Sequence, residues 1–370
     1  MTRARDFADL AGSADAGGIT GKNVVINGAC KVAQRGTSST GLGGSAPGYT
    51  TVDRWQLSIG DTSAGRFTTA QVAVTDLPGF ANAFHLDCTT ADTSIAAGEL
   101  LKIDYKIEGQ DLQRFKKGTS SAEPITISFY MKTNKAFTFM CELDDRDNSR
   151  INSNQFTTST SWTRHEITIP GDTTGTLDDD NNVSFVISLW FHAGSTYTGG
   201  TYSANTWQSR ASSDNMRAVG IGSFFDSTDN DIKVTGLQME LGQNATPFEH
   251  RSFGDELARC QRYYQAHGNG LNGLSFSIAD MPASIAADTG NITGKSFVKM
   301  MRAAPTMVIY SRNSTANKVS LVATGADQAT STFAPNVIGV TGFHVVSRSG
   351  GSNLTAGEGV EYGYTADAEL

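Results

Sequence analysis

The residues best suited to chemistry cluster in one stretch. Trp190, His192, Tyr197, Tyr202 and Trp207 lie where an apolar-rich strand gives way to a loop that runs to Gly220. A loop of this length inside a compact domain is often functional. Aromatic faces beside Asn, Gln and Arg suit a sugar ring, because the aromatic covers apolar C–H groups while the polar neighbours take hydroxyls. The same side chains could instead pin the loop to its own domain or meet another subunit, and all three readings stay open on sequence.

Nothing else reaches that density. Asp178-Asp179-Asp180-Asn181-Asn182 is oxygen-rich, as a Ca²⁺ site must be, but lacks the spaced ligands of an EF-hand loop and reads as a solvated hairpin turn. Asp144-Asp145-Arg146-Asp147-Asn148 reads the same way, with its arginine arguing further against a cation. The six histidines, His85, His165, His192, His250, His267 and His344, show no zinc-like spacing and read as strand-surface or interface residues. Cys30, Cys88, Cys141 and Cys260 are far apart and without metal-ligand spacing. Cys88 and Cys141 fall on the apolar phase of strands, which makes them buried free thiols. No Gly-x-Ser-x-Gly elbow or phosphate-cradling loop is present. Neither a cofactor nor a metal is expected. A carboxylate pair for glycoside hydrolysis is set by spatial rather than sequence distance, so a glycan-degrading enzyme stays as a competing reading.

Charge narrows the partners. The net charge is −8, scattered, with no basic stripe, so nucleic acid is not an expected partner. No apolar run approaches the roughly 20 residues of a membrane span, so no membrane insertion is expected. Met1-Thr2-Arg3-Ala4-Arg5-Asp6 opens without the apolar segment of a secretory signal, which predicts synthesis in a cytoplasm without export by that route.

The elements that must position these residues are strands. In Ile125-Thr126-Ile127-Ser128-Phe129-Tyr130-Met131-Lys132 the apolar residues alternate with polar ones, the period of an antiparallel strand with one face on a core. Residues 23–27, 55–59, 84–88, 101–108, 137–143, 183–191 and 236–241 continue the series, and Ile167 and Ile169 close a strand at Pro170. Roughly nine strands with turn signals between them predict an antiparallel sandwich of jelly-roll type. Phe253, Leu257, Cys260 and Tyr264 recur at helical spacing, which predicts a linking helix over 251–266. A second β block follows, with strand candidates at 275–278, 294–300, 306–310, 319–324, 342–347 and 359–364. The expected chain is therefore all-β: a flexible N-terminal anchor (1–22), a large jelly-roll sandwich (23–250), the short helix, and a smaller C-terminal β-sandwich domain (267–370).

A set of short runs carries a family resemblance. Asn27-Gly28, Gln34-Arg35-Gly36, Tyr49 and Asp53-Arg54-Trp55 are followed by the strand at 125–132. Next come Leu237-Gln238-Met239-Glu240-Leu241-Gly242 and Ala245-Thr246-Pro247-Phe248-Glu249, then Glu256-Leu257-Ala258-Arg259-Cys260-Gln261-Arg262-Tyr263-Tyr264. Met301-Arg302-Ala303-Ala304-Pro305-Thr306 and Thr365-Ala366-Asp367-Ala368-Glu369-Leu370 complete the set. In order and spacing this resembles tail-fibre and appendage proteins of tailed bacteriophages. The resemblance implies a non-enzymatic virion component, assembled in the host cytoplasm, with a carbohydrate-binding-module-like jelly roll. It also implies a homotrimer, docked to other virion proteins through the N-terminal segment and displaying a face to host-surface polysaccharide. On that basis Phe253, Leu257, Cys260 and Tyr264 would meet their copies around a three-fold axis; the competing reading has the stripe cap its own subunit. Capsid-decorating or tail proteins without a receptor role, and a cellular carbohydrate-binding module, are the other competitors.

Overall fold

The computed structural model describes residues 21–44, 48–60, 62–210, 214–268, 277–280, 291–327, 332–349 and 359–370. The expected anchor over 1–22 lies outside the described residues except for Gly21 and Lys22, as does the start of the strand expected at 275–278. The described chain forms two compact units. One holds residues 21–33, 37–253 and 370; the other holds 34–36 and 254–369.

The first unit is an antiparallel sandwich of jelly-roll type. Its strands are β1 (Ser38–Gly44), β2 (Gly48–Tyr49), β3 (Gln56–Gly60), β4 (Thr62–Ala73), β5 (Asn82–Thr90), β6 (Leu100–Glu108), β7 (Ile125–Thr133), β8 (Thr138–Asp145), β9 (Arg150–Thr157), β10 (Thr163–Ile169), β11 (Val183–Ala193), β12 (Gln208–Ser209) and β13 (Asp231–Leu241). A six-stranded sheet runs β1-β4-β5-β13-β7-β10, and a seven-stranded sheet runs β12-β9-β8-β11-β6-β3-β2. Register follows the apolar alternation: Ile127 lies opposite both Ile167 and Met239, and Leu189 opposite both Ile103 and Cys141. These inward residues are all buried, and each fully buried Ile, Leu or Phe contributes about 1.5–3 kcal/mol by leaving water.

Residues 23–27, expected as the first strand, form no strand. Asn27 and Cys30 sit at positive φ (58° and 54°), which turns the chain out of an extended path. Side chains hold the segment instead. Tyr105 Oη accepts from Ile26 N at 2.7 Å and donates to Ile26 O at 3.0 Å. Asn27 Nδ2 donates to Val32 O and Asp53 O, and Trp55 Nε1 donates to Asn27 O. Trp55 has no exposed surface and meets Phe84 and Tyr105 edge to face. A Cβ on Gly28 would stand 2.1 Å from Leu237 O, so only glycine fits there.

The second unit contains β14 (Tyr264–His267), β15 (Ser277–Asp280), β16 (Asn291–Ser296), β17 (Thr306–Tyr310), β18 (Ser320–Leu321), β19 (Thr332–Asn336), β20 (Gly342–Ser349) and β21 (Gly359–Asp367). Four of them pair with β21, while β16-β20-β19 make a second sheet. Phe343 and Tyr364 pack across the two sheets at 4.9 Å, within a core that includes Ile309, Val345 and Val360.

Two α-helices occur among the described residues: α1 (Ser195–Thr198) and α2 (Phe253–Cys260). The second is shorter than the helix expected over 251–266. It carries Asp255 and Glu256 in its first turn and Arg259 in its last, matching the helix dipole. Tyr264 then begins β14, under the Arg35 guanidinium at 3.7 Å. The stripe expected at a three-fold axis is thus divided. Cys260 and Tyr264 are buried within the chain itself, Leu257 is partly buried, and only Phe253 is exposed, at 57%.

His165 also departs from its expected surface position. It is buried, its ring lies 5.3 Å from Phe129 and 4.8 Å from Phe156, and Nε2 has no hydrogen-bond partner. Burial pushes its imidazole down to about 4. An unfolded histidine titrates near pH 6.5 (approximately), so the unfolded chain takes up this proton first as pH falls. The stabilising contribution is complete above the unfolded value and is lost as pH drops toward the folded one. The melting temperature of His165→Phe should therefore fall less than that of the wild type between about pH 7 and about pH 4.5. Parallel curves in thermal scans across that range would contradict the assignment.

Candidate functional site

The loop aromatics are placed by the outer face of the seven-stranded sheet. Trp190 on β11 points away from the sandwich core and joins Met140 and Ala218 in a separate apolar cluster, with Tyr197 and Tyr202 packed on it. The Tyr197 ring lies 5.3 Å from Trp190, Lys102 Nζ lies 4.8 Å above the indole, and the Arg217 guanidinium lies 5.1 Å from it. Trp190 has no exposed surface, and its Nε1 has no hydrogen-bond partner. His192 is equally buried, held by Ser223 Oγ at 2.8 Å and Glu99 Oε2 at 3.0 Å. Burial lowers its affinity for a proton, and Glu99 opposes that shift only in part.

The sugar-contact expectation is therefore corrected for Trp190 and His192, since neither presents a ring to solvent. The other three are partly exposed but engaged within the domain. Tyr202 Oη accepts from Gln155 N at 2.9 Å. Trp207 Nε1 donates to Pro170 O at 2.8 Å, and its ring stacks near Phe185 at 6.5 Å. These aromatics fasten the loop to its own sandwich.

Carboxylates line the same outer face. Asp104, Glu142 and Asp144 are all buried. Asp104 accepts from Ser188 Oγ and Ser58 Oγ at 2.5 Å each and pairs with Lys102 at 3.0 Å. Burial alone would raise its pKa, but Lys102 and the two hydroxyls hold it below the usual carboxylate range. Glu142 takes Arg217 in a two-pronged pair, Nε to Oε2 at 2.9 Å and Nη2 to Oε1 at 2.5 Å. Asp144 Oδ2 faces Arg146, Arg210 and Arg217 at 3.1–3.4 Å, while its Oδ1 has no partner. Burial, then the Glu142 charge, raises the Asp144 pKa despite these arginines. At one end Lys117 pairs with Asp145 at 2.6 Å and Asp172 at 3.3 Å, and Arg150 completes the group on Asp172 at 2.6 Å. Asp144 and Asp145 are thus buried ion-pair members, not the solvated turn their sequence suggests.

A raised carboxyl beside a second carboxylate can mark a catalytic pair. Here Glu142 and Asp144 have no exposed surface and Arg217 covers both.

A different surface is open. On the outer side of the six-stranded sheet, Arg164 on β10 lies opposite Tyr130 on β7. Trp162 immediately precedes β10 and is partly exposed. Its Nε1 donates to Asp76 Oδ1 at 2.8 Å, and Asp76 Oδ2 takes Lys132 Nζ at 2.5 Å. Those two bonds, Lys132 first, lower the Asp76 pKa. One carboxylate therefore fixes both an indole and an ammonium on a solvent-facing sheet. Tyr130 packs on the buried Phe80, 5.2 Å away, and Phe80 meets Phe248 and His250 at the same distance. Sequence reasoning passed over this group because Trp162 follows Ser159-Thr160-Ser161, a turn-like run. The available signal was phase: His165, Ile167 and Ile169 point inward, which leaves Trp162 on the polar phase beside Arg164 and Glu166.

All four cysteines are free and buried. Burial pushes the thiols up, to about 12 at Cys30 and about 11 at Cys88. Among the described residues one trio of metal-ligating side chains converges: His85, Asp87 and Asp231.

No family model matches the chain, and no curated protein matches its sequence. Among solved structures, the enzymatically active domain of bacteriophage CBA120 tailspike protein 4 aligns over 60% of this chain and 21% of its own length, at 9% identity and a TM-score of 0.30. A family 11 carbohydrate-binding module from a Clostridium thermocellum cellulase aligns over 55% of this chain and 100% of its own, at 16% identity and a TM-score of 0.26. TmCBM61, solved with β-1,4-galactotriose, aligns over 60% of this chain and 100% of its own, at 10% identity and a TM-score of 0.29. At such scores these likenesses assign no activity to the chain.

The pairing of Arg217 with Glu142 yields a direct test. Removing one member of a buried ion pair leaves an uncompensated charge, so Arg217→Ala should destabilise the sandwich by about 3–5 kcal/mol. The double variant Glu142→Gln/Arg217→Met should recover most of that loss. Urea unfolding midpoints measure both, and an unchanged midpoint for Arg217→Ala would refute the role.

Proposed function

We propose that this chain is a non-enzymatic structural protein of a tailed-phage particle, a homotrimeric fibre or fibre-like appendage. Its large sandwich contacts host-surface glycan through the outer face of the six-stranded sheet. The observation that carries glycan contact is the Trp162 surface. An indole held in one orientation by Asp76 offers a flat apolar face, and Lys132 and Asp76 offer a donor and an acceptor beside it. That combination suits a pyranose, whose C–H face stacks on an aromatic while its hydroxyls hydrogen-bond at the rim. The sealed ion pairs of the opposite sheet support the non-enzymatic part, because Glu142 and Asp144 lie under Arg217 without contact to solvent. The virion part rests on the ordered sequence runs from Asn27 to Leu370. Three weak sites on one trimer act jointly, so each need bind only modestly.

Affinity electrophoresis in host-surface polysaccharide tests the reading. The wild type should be retarded, and Trp162→Ala, with an unchanged circular-dichroism spectrum, should bind about tenfold more weakly, a loss of about 1.4 kcal/mol. Equal retardation of the two proteins would remove the glycan surface. A wild type that is not retarded at all would favour a decorating protein without a receptor role. Native mass spectrometry should find three copies of the 39.3 kDa chain; a stable monomer would remove the trimer.

A further inference from the structure

His85 and Asp87 alternate on β5, so both project from the same side of the six-stranded sheet. In the β5–β13 ladder Asp87 lies directly opposite Asp231, and His85 directly opposite Lys233. Two carboxylates face to face across a sheet repel one another, an arrangement that destabilises a ladder unless a cation stands between them. The neighbouring donors serve only one of the pair. His85 Nε2 lies 2.6 Å from Asp231 Oδ2, and Lys233 Nζ lies 2.9 Å from each Asp231 oxygen. Asp87 makes no side-chain hydrogen bond among the described residues. The three side chains are partly exposed, and their ligand atoms lie within 4.8 Å of one another.

We infer that His85, Asp87 and Asp231 form a binding site for a first-row divalent transition metal, with Lys233 as the group that occupies it when metal is absent. One imidazole and two carboxylates are a donor set that Zn²⁺ accepts, at about 2.0–2.2 Å per ligand and about 3.4 Å between ligands in a tetrahedral arrangement. The ladder fixes all three Cα positions, and metal binding requires the side chains to close from within 4.8 Å to that spacing. The His85–Asp231 hydrogen bond is then exchanged for two metal bonds. Lys233 swings out along its flexible stem, and the remaining coordination position faces solvent. The buried cysteines, with thiols raised well above neutrality, do not compete. This inference stands apart from the glycan reading, which concerns Trp162.

Isothermal titration of the full chain with Zn²⁺ tests it. The wild type should take up one equivalent. His85→Ala and Asp231→Asn should each weaken binding by about tenfold or more, and Lys233→Met should tighten it by removing the internal competitor. A folding defect cannot imitate that gain in affinity. Absence of Zn²⁺ binding by both the wild type and Lys233→Met would overturn the site, as would binding that persists unchanged in His85→Ala and Asp231→Asn.

Discussion

Buried carboxylates on the seven-stranded sheet set the terms for the rest of this molecule. Asp104, Glu142 and Asp144 stand buried on its outer face. Each needs a cation within reach, or the sheet could not keep them charged. Lys102 comes from the same strand as Asp104, but Arg217 must be delivered from the long loop after β11. The loop therefore has to fold back over the sheet. Its tyrosines cover Trp190 on the way, and Trp207 pins its far side to Pro170. A region that reads in sequence as a ligand loop is in this account the counter-charge for a buried face.

The first unit applies a similar device at its entry. Residues 23–30 are held by Tyr105, Asn27 and Trp55 rather than by ladder bonds. That gives physical meaning to the runs Asn27-Gly28 and Asp53-Arg54-Trp55: one supplies a left-handed turn and a glycine with no room for a side chain, and the other supplies a buried indole that donates to Asn27 O and a carbonyl, Asp53 O, that accepts from Asn27 Nδ2. The run Ala245-Thr246-Pro247-Phe248-Glu249 has a comparable task. Thr246 Oγ1 donates to Glu240 and Glu249 N donates to Gln238 Oε1, so the segment straps the outer face of the six-stranded sheet and brings Phe248 to Phe80.

Most strands were legible because burial on one face writes a period of two. Ile125–Met131, Leu101–Ile107 and Phe185–Phe191 all lie in observed strands with their apolar phase in the core. β1 was hidden by a Ser/Gly-rich sequence that reads as loop, and β9 by Asn152, Ser153, Asn154 and Gln155, whose polar side chains carry no phase. Tyr264 continues a helical spacing of four in sequence, yet pairing of β14 with β21 outweighs that short pattern. The candidate site was the least legible part. Burial of Trp190 and His192 depends on a loop supplied from elsewhere, and the His85–Asp231 contact joins residues 146 apart in the chain. Such juxtapositions exist only once the sheets have formed.

Separating inert architecture from concealed catalysis needs one direct measurement: the chain length of host-surface polysaccharide after prolonged incubation with the purified protein, followed by size-exclusion chromatography. The account predicts an unchanged elution profile. Shorter products formed by the wild type and absent with Glu142→Gln would mean that the Arg217-covered carboxylates open to substrate, and the account would be wrong.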